Sequence, residues 1–259
     1  MLKFYRRFVV VIIIPIIAAA FPFFVFASNI DTKAYDWYFK AESENKQPTL
    51  IPEADFINDY DIISMGDPDQ KTLYLTFDAG YDNGFHTQIL DTLKQKNVTA
   101  AFFVDGNFLN KNPDLVKRMA AEGHLVCNHS KSHPDMTKLT DFEDYSKQIT
   151  EWNESVKSLG LTPNNYFRFP MGRFSRRALE YNKTLGVKSV FWSFAYYDWD
   201  NDKQPTATAA CEKIYSRIHN GCVMLLHSTS ATNAAVLPQV IDKLTADGYT
   251  FKSLDEFKK

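Results

Sequence analysis

The sequence predicts an α/β fold, a (β/α) barrel of parallel strands, and two observations carry that expectation. From Thr72 onward, short β-rich runs alternate with amphipathic helical patterns over about seven repeats, and such alternation calls for parallel strands joined by right-handed crossovers. A parallel sheet of this kind is either closed or open and doubly wound. The barrel is preferred because Asp78, His129, Asp198 and His227 each follow the end of an expected strand, with Arg168 near the end of another. In a closed parallel barrel those carboxyl ends converge on one face.

The elements follow in chain order. Residues 1–27 stand apart: Lys3, Arg6 and Arg7 precede an uncharged apolar run from Phe8 to Phe26, with small residues near Ala27. This pattern fits a signal peptide, and its length is also near the roughly 20 residues that span a bilayer, so a cleaved signal and an N-terminal membrane anchor both stand. Basic residues ahead of the span put the remainder outside the cytoplasm in either case. Residues 28–70 are polar and proline-punctuated, with no sustained period, and read as an arm whose aromatic cluster at Tyr35 to Phe39 packs on the main domain. Residues 71–259 form that domain. Strands are expected at 72–77, 98–104, 124–127, 166–169, 187–194, 222–227 and 249–251. The clearest helix carries Phe142, Tyr145, Ile149, Trp152, Val156 and Leu159 at spacings of three and four, with Thr140 and Glu143 in capping-box positions. Glycines at 123, 160, 186, 221 and 248 are expected as left-handed helix caps.

Composition removes several classes of function. An apolar fraction of 45% supports a real core and argues against disorder. A formal charge of −2, more negative still without Lys3, Arg6 and Arg7, lacks the basic footprint that nucleic acid requires. Cys127, Cys211 and Cys222 are odd in number and have no CxxC spacing. They indicate neither a disulfide framework nor a thiolate zinc cluster, and are expected as small buried residues.

The chemistry lies in five motifs. TFDAGYDNG, Thr76 to Gly84, ends an apolar alternation in a carboxylate, and HSKSH, His129 to His133, offers two imidazoles four residues apart. RFPMG at Arg168 to Gly172, YYDW ending at Trp199 and VMLLH ending at His227 complete the series. Arg168, inside the apolar run YFRFP, is expected to be held inward against a carboxylate. His129 and His133 precede Pro134, so a loop must curl to bring their rings together, and neutral imidazoles suit zinc and similar borderline metals.

This order of motifs resembles the polysaccharide deacetylases, the NodB-homology family of carbohydrate esterases. The resemblance implies a distorted barrel of about seven parallel strands and hydrolysis of an N-acetyl group. It implies Asp78 as the base, Arg168 as its orienting partner, His227 as the general acid and His129 with His133 as metal ligands. Asp198 is then the carboxylate beside His227, Trp199 a wall of the acetyl pocket or else a core residue, and Gly172 the residue that lets the chain turn in the substrate-facing wall. The family pattern TFDDG has a metal-binding second aspartate where this chain has Ala79. A methyl group cannot coordinate, so a weakly held divalent cation, zinc by preference, is expected, with Asp82 as a candidate substitute.

GYDNG, VFWSFAYYDW, YDWYFK and YTFKSLDEF further resemble the muramic-acid de-N-acetylases of spore-forming bacteria, a subgroup that tolerates a non-aspartate at the second position. The expected substrate is N-acetylmuramic acid in peptidoglycan strands, on the route to muramic δ-lactam. Met171, in the wall facing sugar, is a point where specificity can differ. The alternatives are a deacetylase of chitin-like, polyglucosamine or xylan chains and an inactive wall-binding homologue. Export places the chain in the cell envelope, where peptidoglycan is found.

Overall fold

The computed structural model describes residues 31–42 and 45–259. The expected signal or anchor at 1–27 lies outside the described residues, and among those no helix is long and apolar enough to cross a membrane. The strands are β1 (Tyr35–Asp36), β2 (Phe39–Lys40), β3 (Thr49–Leu50), β4 (Ile62–Ile63), β5 (Thr72–Ala79), β6 (Ala101–Val104), β7 (Leu125–Asn128), β8 (Tyr166–Phe167), β9 (Arg173–Phe174), β10 (Lys188–Val190), β11 (Cys222–His227) and β12 (Thr250–Phe251). The helices are α1 (Phe85–Lys96), α2 (Gly106–Lys111), α3 (Pro113–Ala121), α4 (Phe142–Ser158), α5 (Arg176–Thr184), α6 (Ala207–Tyr215) and α7 (Ala231–Ala246).

The main sheet runs β11-β5-β6-β7-β8-β10-β4, with β12 pairing the start of β5, and every one of these pairs is parallel. This is the expected distorted barrel. Its closure comes from the chain after β10: Phe194 bridges Met224, the Ser193 amide donates to Val223 O at 3.0 Å, and the Leu225 amide to Phe194 O at 2.8 Å. All eight residues of β5 are buried, which accounts for its run of β-branched, aromatic and leucine side chains. Leu73, Leu75 and Phe77 pack outward against the helices, while Tyr74 joins Phe103, Cys127 and Val223 in the inner cluster. The period of two therefore leaves Thr76 and Asp78 facing inward.

Three expectations are corrected. The arm assignment for 28–70 misses β4, which pairs β10 at the sheet edge, and β1, which pairs β9; the compact unit is Asp31–Lys259. Two residues are too short a run for a sequence period to reveal. At α4 the cap is Asp141, whose Oδ1 accepts from the amides of Glu143 and Asp144 at 2.8 and 3.2 Å, so Thr140 closes no capping box. Gly221 caps no helix; its φ of 68° opens β11, and a Cβ there would lie 2.4 Å from the Gly66 carbonyl carbon. Gly123, Gly160, Gly186 and Gly248 do follow helix ends with positive φ.

Cys127 and Cys222 are buried, and burial pushes the Cys222 thiol up to about 12. Cys211 is half-buried.

Candidate active site

At the carboxyl end of the sheet lies a cavity of about 740 Å³, lined among others by Asp78, His129, His133, Gly172, Trp199 and His227. Adjacent strands bring the two ends of the chemistry together, because β11 pairs β5 with His227 opposite Asp78.

Arg168 is fully buried just past β8. Its Nη1 donates to Asp78 Oδ1 at 2.7 Å, Nη2 to Thr76 Oγ1 at 2.9 Å and Nε to Val190 O at 3.2 Å, and the guanidinium lies 4.0 Å from the Phe103 ring centre. The inward charge expected from YFRFP thus has its carboxylate. Burial alone would raise the Asp78 pKa. The charge of Arg168, followed by those of His129 and His227, outweighs it and holds Asp78 below its ordinary range.

His129 is positioned from the other side. Its Nδ1 sits 2.9 Å from Arg168 O, and since a carbonyl only accepts, Nδ1 carries the proton. The lone pair is then on Nε2, 3.6 Å from Asp78 Oδ2. Burial is the main influence on this ring and depresses its pKa to about 4 despite Asp78. The loop curls as expected, with positive φ at Ser130 (70°) and His133 (55°), and the His133 amide donates to Ser130 Oγ at 2.9 Å. The two rings meet edge to face, 4.9 Å between centres.

Asp198, fully buried, accepts from His227 Nδ1 at 2.7 Å, from the His227 amide at 2.9 Å and from Asn233 Nδ2 at 2.6 Å. Burial would lower the His227 pKa. The hydrogen bond and charge of Asp198, with Asp78 behind them, reverse this and raise it. One quarter of the His227 side chain remains exposed to the cavity (26%).

Trp199 is 51% exposed, which excludes the core alternative, and its ring stands 6.1 Å from that of His227. Gly172, with φ of 65°, lies against Trp192, whose Cη2 would be 2.6 Å from a Cβ at this position. Met171 is 57% exposed on the cavity wall.

The donor set suits a divalent cation only in part. The imidazole pair fits: His129 is neutral, is oriented by a backbone carbonyl and presents a free Nε2, the usual arrangement of a metal-binding histidine. The set falls short of a third ligand. Ala79 adds only a methyl group, and among the described residues no three His, Cys, Asp or Glu side chains are gathered in coordinating geometry. Asp82 is not the substitute. Its Oδ1 is taken by His86 Nδ1 at 2.8 Å and the Gly84 amide at 3.0 Å, and it does not line the cavity.

Sequence reasoning missed several residues. Asn233 lies in none of the motifs, and Thr76, though it opens TFDAGYDNG, had no expected role. His86 joins the exposed Asp82 to Ser228, whose Oγ lies 2.7 Å from His86 Nε2 and 3.3 Å from Asp78 O, so that buried His86 and Ser228 lie beneath Asp78. Asp105, Tyr81, Trp192 and Tyr196 also line the cavity. Asp105 was detectable as a carboxylate following the strand run AFFV.

Residues 65–190 match the sequence profile of the family described as polysaccharide deacetylase. A peptidoglycan-N-acetylmuramic acid deacetylase of Bacillus subtilis is 40% identical over 232 residues, spanning 89% of this chain and 88% of that protein. The chain belongs to the polysaccharide deacetylase family. The structure of that Bacillus subtilis protein, described as a family 4 carbohydrate esterase, superposes with a TM-score of 0.84 at 38% identity, over 88% of this chain and 98% of the other. A family 4 carbohydrate esterase from Bacillus anthracis gives a TM-score of 0.73 at 36% identity, over 88% and 97%. Asp78, His129, His133 and His227 thus meet around one cavity, with Arg168 buried behind Asp78.

Proposed function

We propose that this protein is a hydrolase that removes the acetyl group from N-acetylmuramic acid in peptidoglycan, with Asp78 as base and His227 as acid. The observation that carries the reading is the opposite tuning of these two groups across one cavity: Arg168 keeps Asp78 ionised, while Asp198 favours protonated His227. Two titratable groups pushed apart in this way mark an acid–base pair.

Asp78 takes a proton from water as the water oxygen bonds to the amide carbon. His227 then gives its Nε2 proton to the nitrogen as the carbon–nitrogen bond breaks, leaving acetate and a free amine. Arg168 holds Asp78 in place, and Asp198 holds the His227 ring and balances its charge. His129 and His133 would hold a divalent cation, zinc by preference, which when bound supplies positive charge to polarise the amide carbonyl. Trp199 and Met171 offer an apolar wall for the sugar and its acetyl group.

The muramic-acid substrate is supported by the similarity to the Bacillus subtilis protein across nearly all of both chains. A free amine beside the lactyl carboxyl is what cyclisation to a muramic δ-lactam consumes. The protein acts in the cell envelope, exported by its N-terminal segment.

The test is product mass spectrometry of peptidoglycan strands with stem peptides removed, set against chitooligosaccharides. The expected result is loss of one acetyl group from muramic acid residues. Faster turnover of the chitin ladder would transfer the assignment to N-acetylglucosamine polymers.

A further inference from the structure

We propose that Trp37, in the segment ahead of the main sheet, is a positioning residue for the sugar, because it sets the cavity wall made by Met171, Gly172 and Trp192. Given the deacetylase reading above, on which this rests, the aromatic cluster at Tyr35 to Phe39 takes part in glycan binding.

Trp37 holds the wall at two backbone points. Its amide donates to Gly172 O at 2.9 Å, and its indole Nε1 donates to Trp192 O, also at 2.9 Å. The indole ring is stacked on Phe191, with 4.1 Å between centres and planes 14° apart. Trp37 is 6% exposed, and a buried indole N–H needs such an acceptor. Met171, Gly172 and Trp192 line the cavity, and Trp37 acts through them from behind.

The wall needs this support because its backbone is strained. Met171 and Gly172 both have left-handed φ, 60° and 65°, a region disfavoured for methionine. Such conformations persist where surrounding contacts fix them. Here the Gly172 amide closes the turn onto Phe169 O at 3.0 Å, and the Gly172 carbonyl is held by Trp37. The fit is close: a Cβ on Gly172 would stand 2.6 Å from Trp192 Cη2 and 3.3 Å from Trp37 Cβ. On the cavity side the strained turn presents Met171, 57% exposed, where covering a sugar face removes apolar surface from water. A wall fixed in advance lowers the ordering cost of binding, which appears in KM rather than in kcat.

Val190 O and Phe191 O, next to Trp192, accept from Arg168 at 3.2 and 3.4 Å. A disturbance that reached Arg168 would move the acid limb of the pH–rate profile. That limb therefore separates an effect on the wall from an effect on Asp78.

The test measures steady-state acetate release by the full chain, well below its melting temperature, on muramic acid strands and on chitooligosaccharides. Trp37→Phe keeps a ring over Phe191 and deletes the indole donor. Trp37→benzothienylalanine replaces only the N–H by sulfur, so it keeps the fold if phenylalanine does not. Tyr35→Leu is the control, since Tyr35 packs on Phe56 and Phe174 and its loss loosens the segment without removing a bond to the wall. Both Trp37 variants are expected to raise KM about 3- to 10-fold, as loss of one hydrogen bond implies, with kcat within twofold and the acid limb unmoved. Tyr35→Leu should lower the melting temperature and leave KM within twofold. The proposal is overturned if KM of the folded Trp37 variants stays within twofold of the parent, if Tyr35→Leu raises KM equally, or if the acid limb shifts. A parent that deacetylates only chitooligosaccharides sinks the substrate assignment and leaves this test to be read on that glycan. A parent that deacetylates muramic acid with KM indifferent to position 37 sinks only the role of Trp37.

Discussion

Arg168 Nη1 stands 2.7 Å from Asp78 Oδ1, in a pair whose arginine is fully buried and whose aspartate is nearly so. The rest of the guanidinium is occupied by Thr76, Val190 and the Phe103 ring. Arg168 therefore cannot follow another anion, and Asp78 Oδ2 is left for the cavity side, where His129 lies.

Breaking this pair should affect folding and chemistry together. Arg168→Met leaves a buried carboxylate without its cation, and stability at pH 7 should fall by about 3–5 kcal/mol in urea melts. The acid limb of the pH–rate profile should move to higher pH, because Asp78 loses the charge that depresses its pKa. In the parent, the depressed pKa means the Asp78 contribution is complete above the unfolded value of about 4 and is lost as pH falls through the folded value. An unchanged acid limb in a folded Arg168→Met protein would remove Asp78 from the role of base.

The Asp198–His227 pair should govern the opposite limb. Asp198→Asn removes the charge that raises the His227 pKa, so the basic limb should shift to lower pH and kcat should drop about 10²–10⁴-fold. Linkage runs the other way here. A raised folded pKa gives stabilisation that is present below the unfolded value of about 6.5 and disappears as pH rises through the folded value. Imidazole nitrogen NMR of parent and variant reads the shift directly.

Ser228 should matter for rigidity rather than for chemistry. Ser228→Ala leaves His86 Nε2 as a buried acceptor without a donor, since burial, the main influence, keeps that ring toward its neutral form. The expected cost is about 1–3 kcal/mol in stability. Chemical denaturation measures it, and a change under a few tenths of a kcal/mol would mean that the buried pair below Asp78 holds nothing in place.

Trp199 should act on binding. It is exposed at the cavity rim, with the Tyr197 ring tilted against it at 54°, 3.9 Å away between ring centres. Trp199→Ala should raise KM by about 2- to 10-fold, matching 0.5–1.5 kcal/mol of aromatic contact, with kcat little altered. Steady-state kinetics on peptidoglycan strands would instead show a kcat defect if the ring mainly positions His227.

The alternation of elements was legible because periodicity is local. The runs TLYLTF and VMLLH and the stripe from Tyr145 to Val156 state their faces without reference to other residues. Asp78, His227, Arg168 and the paired histidines were legible through their motifs, and the resemblance also paired Arg168 with Asp78 and Asp198 with His227; the further partners of Arg168 and Asp198 were not legible. What escaped were short or solitary contributions: β4, with two residues, the loop 191–194 that closes the barrel, and Asn233 bound to Asp198. Asp82 looked a suitable substitute ligand in sequence, and the turn at Gly84 directs it to His86 instead.

The sequence alone therefore determined which side chains were available, on which kind of element, and that a carboxylate was missing at position 79. Tertiary structure decided how they meet. Arg168 reaches Asp78 across 90 positions and Asp198 reaches His227 across 29, and such distances are set by strand register and barrel closure. The physical reason is that side-chain chemistry and period belong to each segment, whereas a buried charge is neutralised by whatever group the packed sheet brings within about 3 Å of it.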